Sequence, residues 1–185
     1  EVQVLVFSGK GRIRSGDEVY NRGETFSMPV GESFIGRIVN SLCEPLDGAG
    51  EVPSLERYPV FGEAPGVMER LPVEQTLETG TRILDAVIPI ARGQRQLIIG
   101  DRMTGKTTLG LDAILNQKGK GTICIYCCTG KAYSGLVKVV RLLEARGAMA
   151  YTVVVSAPAS TSAGEQYLSP YTAATLGEFF MRHGR

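Results

Sequence analysis

An α/β fold, a parallel sheet with flanking helices, is predicted by three observations on this chain. Strand-like runs at Gln96–Ile99, Thr122–Cys128 and Tyr151–Ala157 are apolar on both faces, as in parallel strands covered by helices. Helical segments at Lys106–Gln117 and Ser134–Arg146 lie between them, closed by Gly119 and Gly147. A glycine-bounded loop, Gly100-Asp101-Arg102-Met103-Thr104-Gly105-Lys106-Thr107, joins the first run to the first helix. Strand followed by helix, three times over, implies right-handed crossovers in a parallel sheet. A ligand is then expected at the carboxyl end of the Gln96–Ile99 strand.

Each element has its own justification. Val2–Phe7 and Glu18–Tyr20 flank a glycine-rich, charged turn region from Gly9 to Asp17 and read as short antiparallel β-structure. That is too little to close a sheet or barrel, so residues 1–28 are expected to be the end of a β domain. Residues 29–185 are expected to form the first part of the α/β domain. Gly36 to Gly48 reads as an apolar strand running into a Pro/Asp-Gly turn, and Pro53 to Pro72 as an extended surface connection. Thr76 to Val87 reads as a short amphipathic helix stopped by Pro89. In Ser134–Arg146, Leu136, Val139, Val140 and Leu143 fall at helical spacing, with Lys138, Arg141 and Glu144 facing away. A last helix covers Pro170 to Arg182, starting at Pro170 with Ser169 as its cap, or starting earlier and kinking there.

The loop carries the chemistry. A strand, a glycine-bounded loop ending in Gly-Lys-Thr and a helix together form the context of a phosphate-binding loop. Its backbone N–H groups and the amino end of the helix make a concave anion site. Lys106 is placed to reach β- and γ-phosphates, and the Thr107 hydroxyl to coordinate Mg²⁺. The candidate binding set is Gly100, Asp101, Arg102, Met103, Thr104, Gly105, Lys106, Thr107 and Thr108, with Thr107 also the metal residue.

Composition narrows the class. The 185 residues carry 20 basic and 19 acidic side chains, a net charge of +1 that makes no electrostatic case for nucleic acid. No apolar run approaches the length of a bilayer span, so membrane association is expected only through partners. Cys124 and Cys127 have CxxC spacing with Cys128 adjacent, yet they fall in a β-rich segment. Positions three apart on a strand point to opposite faces, which disfavours a bridge or a shared metal. With Cys43 they read as small buried residues of a reducing compartment.

Binding a nucleotide is not hydrolysing it. Turnover needs a group that orients water and a carboxylate near Mg²⁺. The exit of the second strand, Thr129-Gly130-Lys131, presents a lysine, and a protonated lysine accepts no proton from water. Lys131 reads either as a solvated loop residue or as a phosphate contact. No later apolar strand ends in Asp. Asp101 lies within the loop, and Asp112 reads as a surface residue of the helix.

Arg92 to Thr107, together with Ile114-Leu-Asn-Gln-Lys-Gly119, Gly147 to Val155 and Gln166-Tyr-Leu-Ser-Pro-Tyr-Thr172, closely resembles the F-type ATP synthase alpha subunit. Gly36-Arg-Ile-Val-Asn40 and Pro45-Leu-Asp-Gly48 resemble the start of that family's nucleotide-binding domain. The likeness runs from about Val30 to the last residue, and earlier residues fit the end of the family's amino-terminal β-barrel. The resemblance implies a RecA-like P-loop NTPase fold and binding of Mg-ATP (or ADP) at a non-catalytic site. Arg102, Thr104, Gly105, Lys106 and Thr107 would then hold the phosphates and magnesium.

It implies an alternating ring with catalytic beta subunits, a central rotor stalk, a peripheral stalk and no nucleic acid. The complex would couple proton (or sodium) flow to ATP chemistry. The chain would sit peripheral to an energy-coupling membrane, on the cytoplasmic face if bacterial. The Asp-Arg-x-Thr-Gly-Lys-Thr form distinguishes alpha from beta. Met103 stands where alpha subunits usually have glutamine. Lys131 replaces a glutamine at the position of beta's catalytic glutamate, and Ala132 a lysine, which marks a divergent alpha subunit with no catalytic residue. Two rivals stay open: a structural ring subunit with a vestigial site, and a catalytic hexameric P-loop ATPase such as a secretion ATPase or RNA translocase.

Overall fold

The computed structural model describes residues 6–7, 13–14, 16–21, 23–70 and 72–184. Its strands and helices run in chain order as β1 (Ser27–Val30), β2 (Ile38–Val39), β3 (Glu56–Pro59), β4 (Thr76–Leu77), α1 (Arg82–Val87) and β5 (Ile90–Ala91). They continue as α2 (Lys106–Leu115), β6 (Cys124–Thr129), α3 (Tyr133–Ala145), β7 (Thr152–Ala157) and α4 (Ala163–Arg182). The fold is mixed α/β, with a parallel sheet and flanking helices. The chain divides into two units, residues 1–62 with 125–185 and residues 63–124.

In the larger unit β7 is the middle strand of a sheet ordered β2-β7-β6. Its core, Val153-Val154-Val155, is β-branched throughout, which suits a pleated, fully covered strand. All six residues of β7 are buried, and β2 pairs with it in parallel through Ile38–Val154 and Val39–Val155. Helix α3 buries Leu136, Val139, Val140 and Leu143 and exposes Lys138, Arg141 and Glu144, as its spacing predicts. Helix α4 packs on β7 and β1 and buries Leu168, Leu176, Phe179 and Phe180. Strands β1 and β3 form a separate antiparallel pair. The Pro/Asp-Gly turn after β2 is fixed by Asp47. Its carboxylate accepts from Arg37 Nε (2.6 Å), Arg37 Nη2 (2.9 Å), Ala49 N (2.9 Å) and Ile38 N (3.2 Å).

In the smaller unit β4 and β5 pair antiparallel through Thr76–Ala91 and Leu77–Ile90. The Thr79–Gly80 turn that follows β4 is held by Asp85 of α1. Its carboxylate accepts from Thr79 Oγ1 (2.7 Å), Thr79 N (2.8 Å) and Gly80 N (2.9 Å).

Four expectations need correction, and one pair of alternatives is resolved. Gln96–Ile99 is not a strand. Among the described residues no hydrogen-bonded partner flanks it, and Leu97, Ile98 and Ile99 are 76%, 43% and 85% exposed. A parallel strand exists only through its neighbours. Thr76–Val87 is helical only from Arg82, because β4 claims Thr76–Leu77 and Asp85 draws Thr79 and Gly80 into a turn. The Pro53–Pro72 connection is not uniformly extended, since it holds β3 and a 3₁₀ turn at Val67–Glu69.

Of the two starts open to the last helix, the earlier is realised. Ser162 caps α4 by accepting from Glu165 N at 3.0 Å, and Pro170 lies inside the helix. Proline removes an N–H from the helical ladder, and Ser169 Oγ donates to the Gln166 carbonyl at 3.0 Å in its stead. Lastly, Glu18–Tyr20 is exposed and not a strand, while Val2–Leu5 lies outside the described residues.

Candidate phosphate-binding site

The site is the turn that feeds α2. Gly105 occupies the cap position with φ 89°, a left-handed conformation that costs glycine little, and an added Cβ there would meet nothing within 4 Å. Met103 is also left-handed, at φ 63°, and its side chain is fully exposed. Two successive reversals turn the chain tightly, so that backbone groups of 100–105 curve around Lys106.

The Lys106 ammonium is drawn into that curve. It donates to the carbonyls of Gly100 (2.5 Å) and Asp101 and lies 3.4 Å from Thr104 Oγ1. Thr104 Oγ1 in turn donates to the Asp101 carbonyl at 2.9 Å. The structure therefore brings Gly100, Asp101, Thr104, Gly105 and Lys106 into one hydrogen-bonded turn. Arg102 and Met103 project from its rim as exposed side chains, Thr107 is half-buried in the first turn of α2, and Thr108 is exposed beside it.

This arrangement suits a polyphosphate. The amino end of α2 has no side-chain cap, which is the situation an external anion completes. A lysine ammonium inside the loop and a guanidinium at its rim add two positive charges at close range. The hydroxyl of Thr107 is a hard oxygen ligand, of the type Mg²⁺ accepts alongside phosphate oxygens. Asp101 takes part in the loop's hydrogen bonds through its backbone carbonyl.

Burial holds the thiols in their protonated form. Burial pushes Cys124 up to about 11 and Cys43 up to about 12, and it raises Cys127 and Cys128 as well. All four are free, and a protonated thiol is a poor nucleophile and ligand. Among the described residues no group of three or more His, Cys, Asp or Glu side chains stands within reach of one ion. No helix among them is long and apolar enough to cross a membrane.

Three features escaped the sequence reading. The Ser162-x-x-Glu165 pattern is a known helix-start signal that marks the start of α4. The left-handed backbone at Met103 and at Cys43 (φ 62°) has no signal in the residue type. The contacts of Asn116 and Gln117 with the carbonyl of Glu78 are likewise invisible before folding.

Comparison with known proteins places the chain in a family. The chain is 44% identical over 185 residues to ATP synthase subunit alpha 1 of Marinomonas sp. (strain MWYL1), covering 100% of this chain and 36% of that protein. It is 47% identical over 184 residues to ATP synthase subunit alpha of Wolinella succinogenes and, equally, of Helicobacter pylori (strain Shi470), covering 100% of this chain and 37% of each relative. The chain thus spans little more than a third of the length of these relatives. Residues 80–185, which include the whole loop, match the nucleotide-binding domain of the ATP synthase alpha/beta family. The chain belongs to the ATP synthase alpha/beta family.

Proposed function

We propose that this chain is part of a non-catalytic, Mg-ATP-binding alpha-type subunit of a rotary ATP synthase. The observation that carries the reading is the turn at 100–106, in which a left-handed Gly105 opens α2 and the Lys106 ammonium sits among the loop carbonyls. In this reading Gly100, Asp101, Thr104 and Gly105 shape the cradle around the phosphates. Lys106 and Arg102 supply positive charge, Met103 lines the rim, and Thr107 and Thr108 contribute N–H and hydroxyl groups at the helix end. Mg²⁺, held by Thr107 and phosphate oxygens, would offset phosphate charge.

The absence of turnover is argued from the residues present. At the end of β6, Thr129-Gly130-Lys131 presents a lysine where the family resemblance puts beta's catalytic glutamate, and a cation does not activate water. The name carried by the relatives supports membership of an ATP synthase complex, and the partners we infer there are beta-type subunits, a rotor stalk and a peripheral stalk. Residues 1–28 are read as the end of a β-barrel and 29–185 as the first part of the nucleotide-binding domain.

The test is calorimetric titration of Mg-ATP into this chain and into Lys106→Ala. Saturable binding that weakens at least about tenfold in Lys106→Ala is the expected result, from loss of a charged phosphate contact. Equal binding by both proteins would remove the loop from the account. No binding by either is what the rival reading, a ring subunit with a vestigial site, requires.

A further inference from the structure

The far end of the phosphate-loop helix is built with more care than a surface helix needs. Gln117, two residues past the end of α2, is 4% exposed and donates through Nε2 to the Glu78 carbonyl at 2.8 Å and to the Ala113 carbonyl at 3.1 Å. Asn116 Nδ2 donates to the same Glu78 carbonyl at 2.9 Å, and Lys120 Nζ reaches the Glu78 carboxylate at 2.6 Å. The adjoining Gly80 has φ +80°, and a Cβ there would come within 3.0 to 3.2 Å of the Asn116 side chain. The turn itself is pinned by Asp85 from α1. Gln117 Oε1 meanwhile has no hydrogen-bond partner among the described residues. Burying an unpaired amide oxygen is unfavourable, so what this side chain contributes here is its two donated bonds.

The amino end of the same helix is held differently. There Lys106 and Thr104 donate to the loop's own carbonyls. A ten-residue helix is a rod about 15 Å long, so fixing one end directs the other. We propose that Gln117 is a positioning residue for the phosphate site. With Asn116 and Lys120 it clasps the Glu78–Gly80 turn to the carboxyl end of α2, and so sets where Lys106 and the helix amino end meet a nucleotide's phosphates. The clasp rests on the reading that the loop binds nucleotide, and it deepens that reading by naming a determinant of affinity that touches no ligand.

The experiment titrates Mg-ATP into wild type, Gln117→Leu, Gln117→Glu and Lys118→Ala, with melting curves in the same buffers so that only folded protein is compared. Gln117→Leu keeps the volume and loses the donors, and its Kd is expected to rise about tenfold. Lys118→Ala, at an exposed neighbouring position, is expected to stay within about twofold of wild type. Gln117→Glu is the discriminating variant. Ionised at about pH 8 it cannot donate to the Glu78 carbonyl, whereas protonated toward about pH 5.5 it can, so its affinity recovers relative to wild type as pH falls.

A Gln117→Glu affinity that runs parallel to wild type from about pH 8 to about pH 5.5 would overturn the clasp. So would a Gln117→Leu affinity equal to wild type. If wild type itself fails to saturate, the nucleotide reading falls and the clasp with it. If wild type saturates and the variants match it, the clasp alone falls.

Discussion

Two apolar runs of the same chain, Val153-Val154-Val155 and Leu97-Ile98-Ile99, have opposite fates. The first lies in β7, wholly buried between β2 and β6. The second, leading into the candidate phosphate loop, has no regular structure and is largely exposed. Composition does not separate them, since both are β-branched or leucine-rich and both read as covered parallel strands. Partners do. A strand's backbone groups are satisfied by its neighbours, and only one of these runs has neighbours among the described residues. The loop after the second run forms nonetheless, because its geometry depends on Gly105, on Lys106 and on hydrogen bonds spanning six residues or fewer. A binding turn is a local property, whereas a strand is not.

The comparison can be broken most severely by burying a charge in each run. Val154→Asp places a carboxylate at a fully buried position, and a loss above about 4 kcal/mol is expected, enough to unfold the larger unit in urea titration. Ile99→Asp, at a site 85% exposed, is expected to shift the same titration by less than about 0.5 kcal/mol. Equal effects would mean that Ile99 is covered in solution.

The turn that leads out of β2 gives a second, smaller contrast, and it is set by pH. Hydrogen bonds from Arg37 hold the Asp47 carboxyl well below the usual carboxylate range, with help from the Ala49 and Ile38 N–H groups and against the opposing effect of burial. A depressed folded-state pKa contributes stability that is complete above the unfolded value of about 4 and is lost as pH falls through the folded value. Asp47→Asn is therefore expected to cost about 2 kcal/mol at neutral pH, the scale of hydrogen bonds to a charged group. The difference between wild type and variant should shrink as urea melts are repeated below about pH 4. A gap that widens toward acid would contradict the assignment.

At the start of α4, Ser162→Ala removes the side-chain N-cap that, among the described residues, α1, α2 and α3 lack, and should cost about 1 kcal/mol in the same melts. The smallest effect belongs to the loop. Met103→Gly releases a left-handed φ of 63° at an exposed side chain, offset by the greater freedom of glycine in the unfolded chain. A gain of less than about 1 kcal/mol is expected. A clear loss would show that the Met103 side chain packs against something.

Much of this architecture could be read before folding. The helices α2 and α3 and the strands β6 and β7 follow from periodicity and from the glycines that end them, with boundaries shifted by one or two residues. The loop was legible because its signal is contiguous. What was not legible depends on distant residues. Pro59 closes β3, which pairs with β1 some thirty residues earlier, so the proline-rich stretch concealed an edge strand of the kind proline tolerates. Pro170 argued for a later helix start, and only the hydroxyl of the adjacent Ser169 accommodates it within α4. Gln117 looked like an ordinary polar residue closing a helix, and its role emerges only once Glu78 is brought to it.

Amide hydrogen exchange with and without Mg-ATP tests the central claim most directly, because it reads both apolar runs and the loop in one experiment. The account predicts slow exchange throughout β7 and fast exchange at Leu97–Ile99 in the free chain. On addition of Mg-ATP it predicts new protection concentrated at Thr104–Thr108, with β7 unchanged. Nucleotide that binds without protecting those amides would contradict a phosphate site built by this loop.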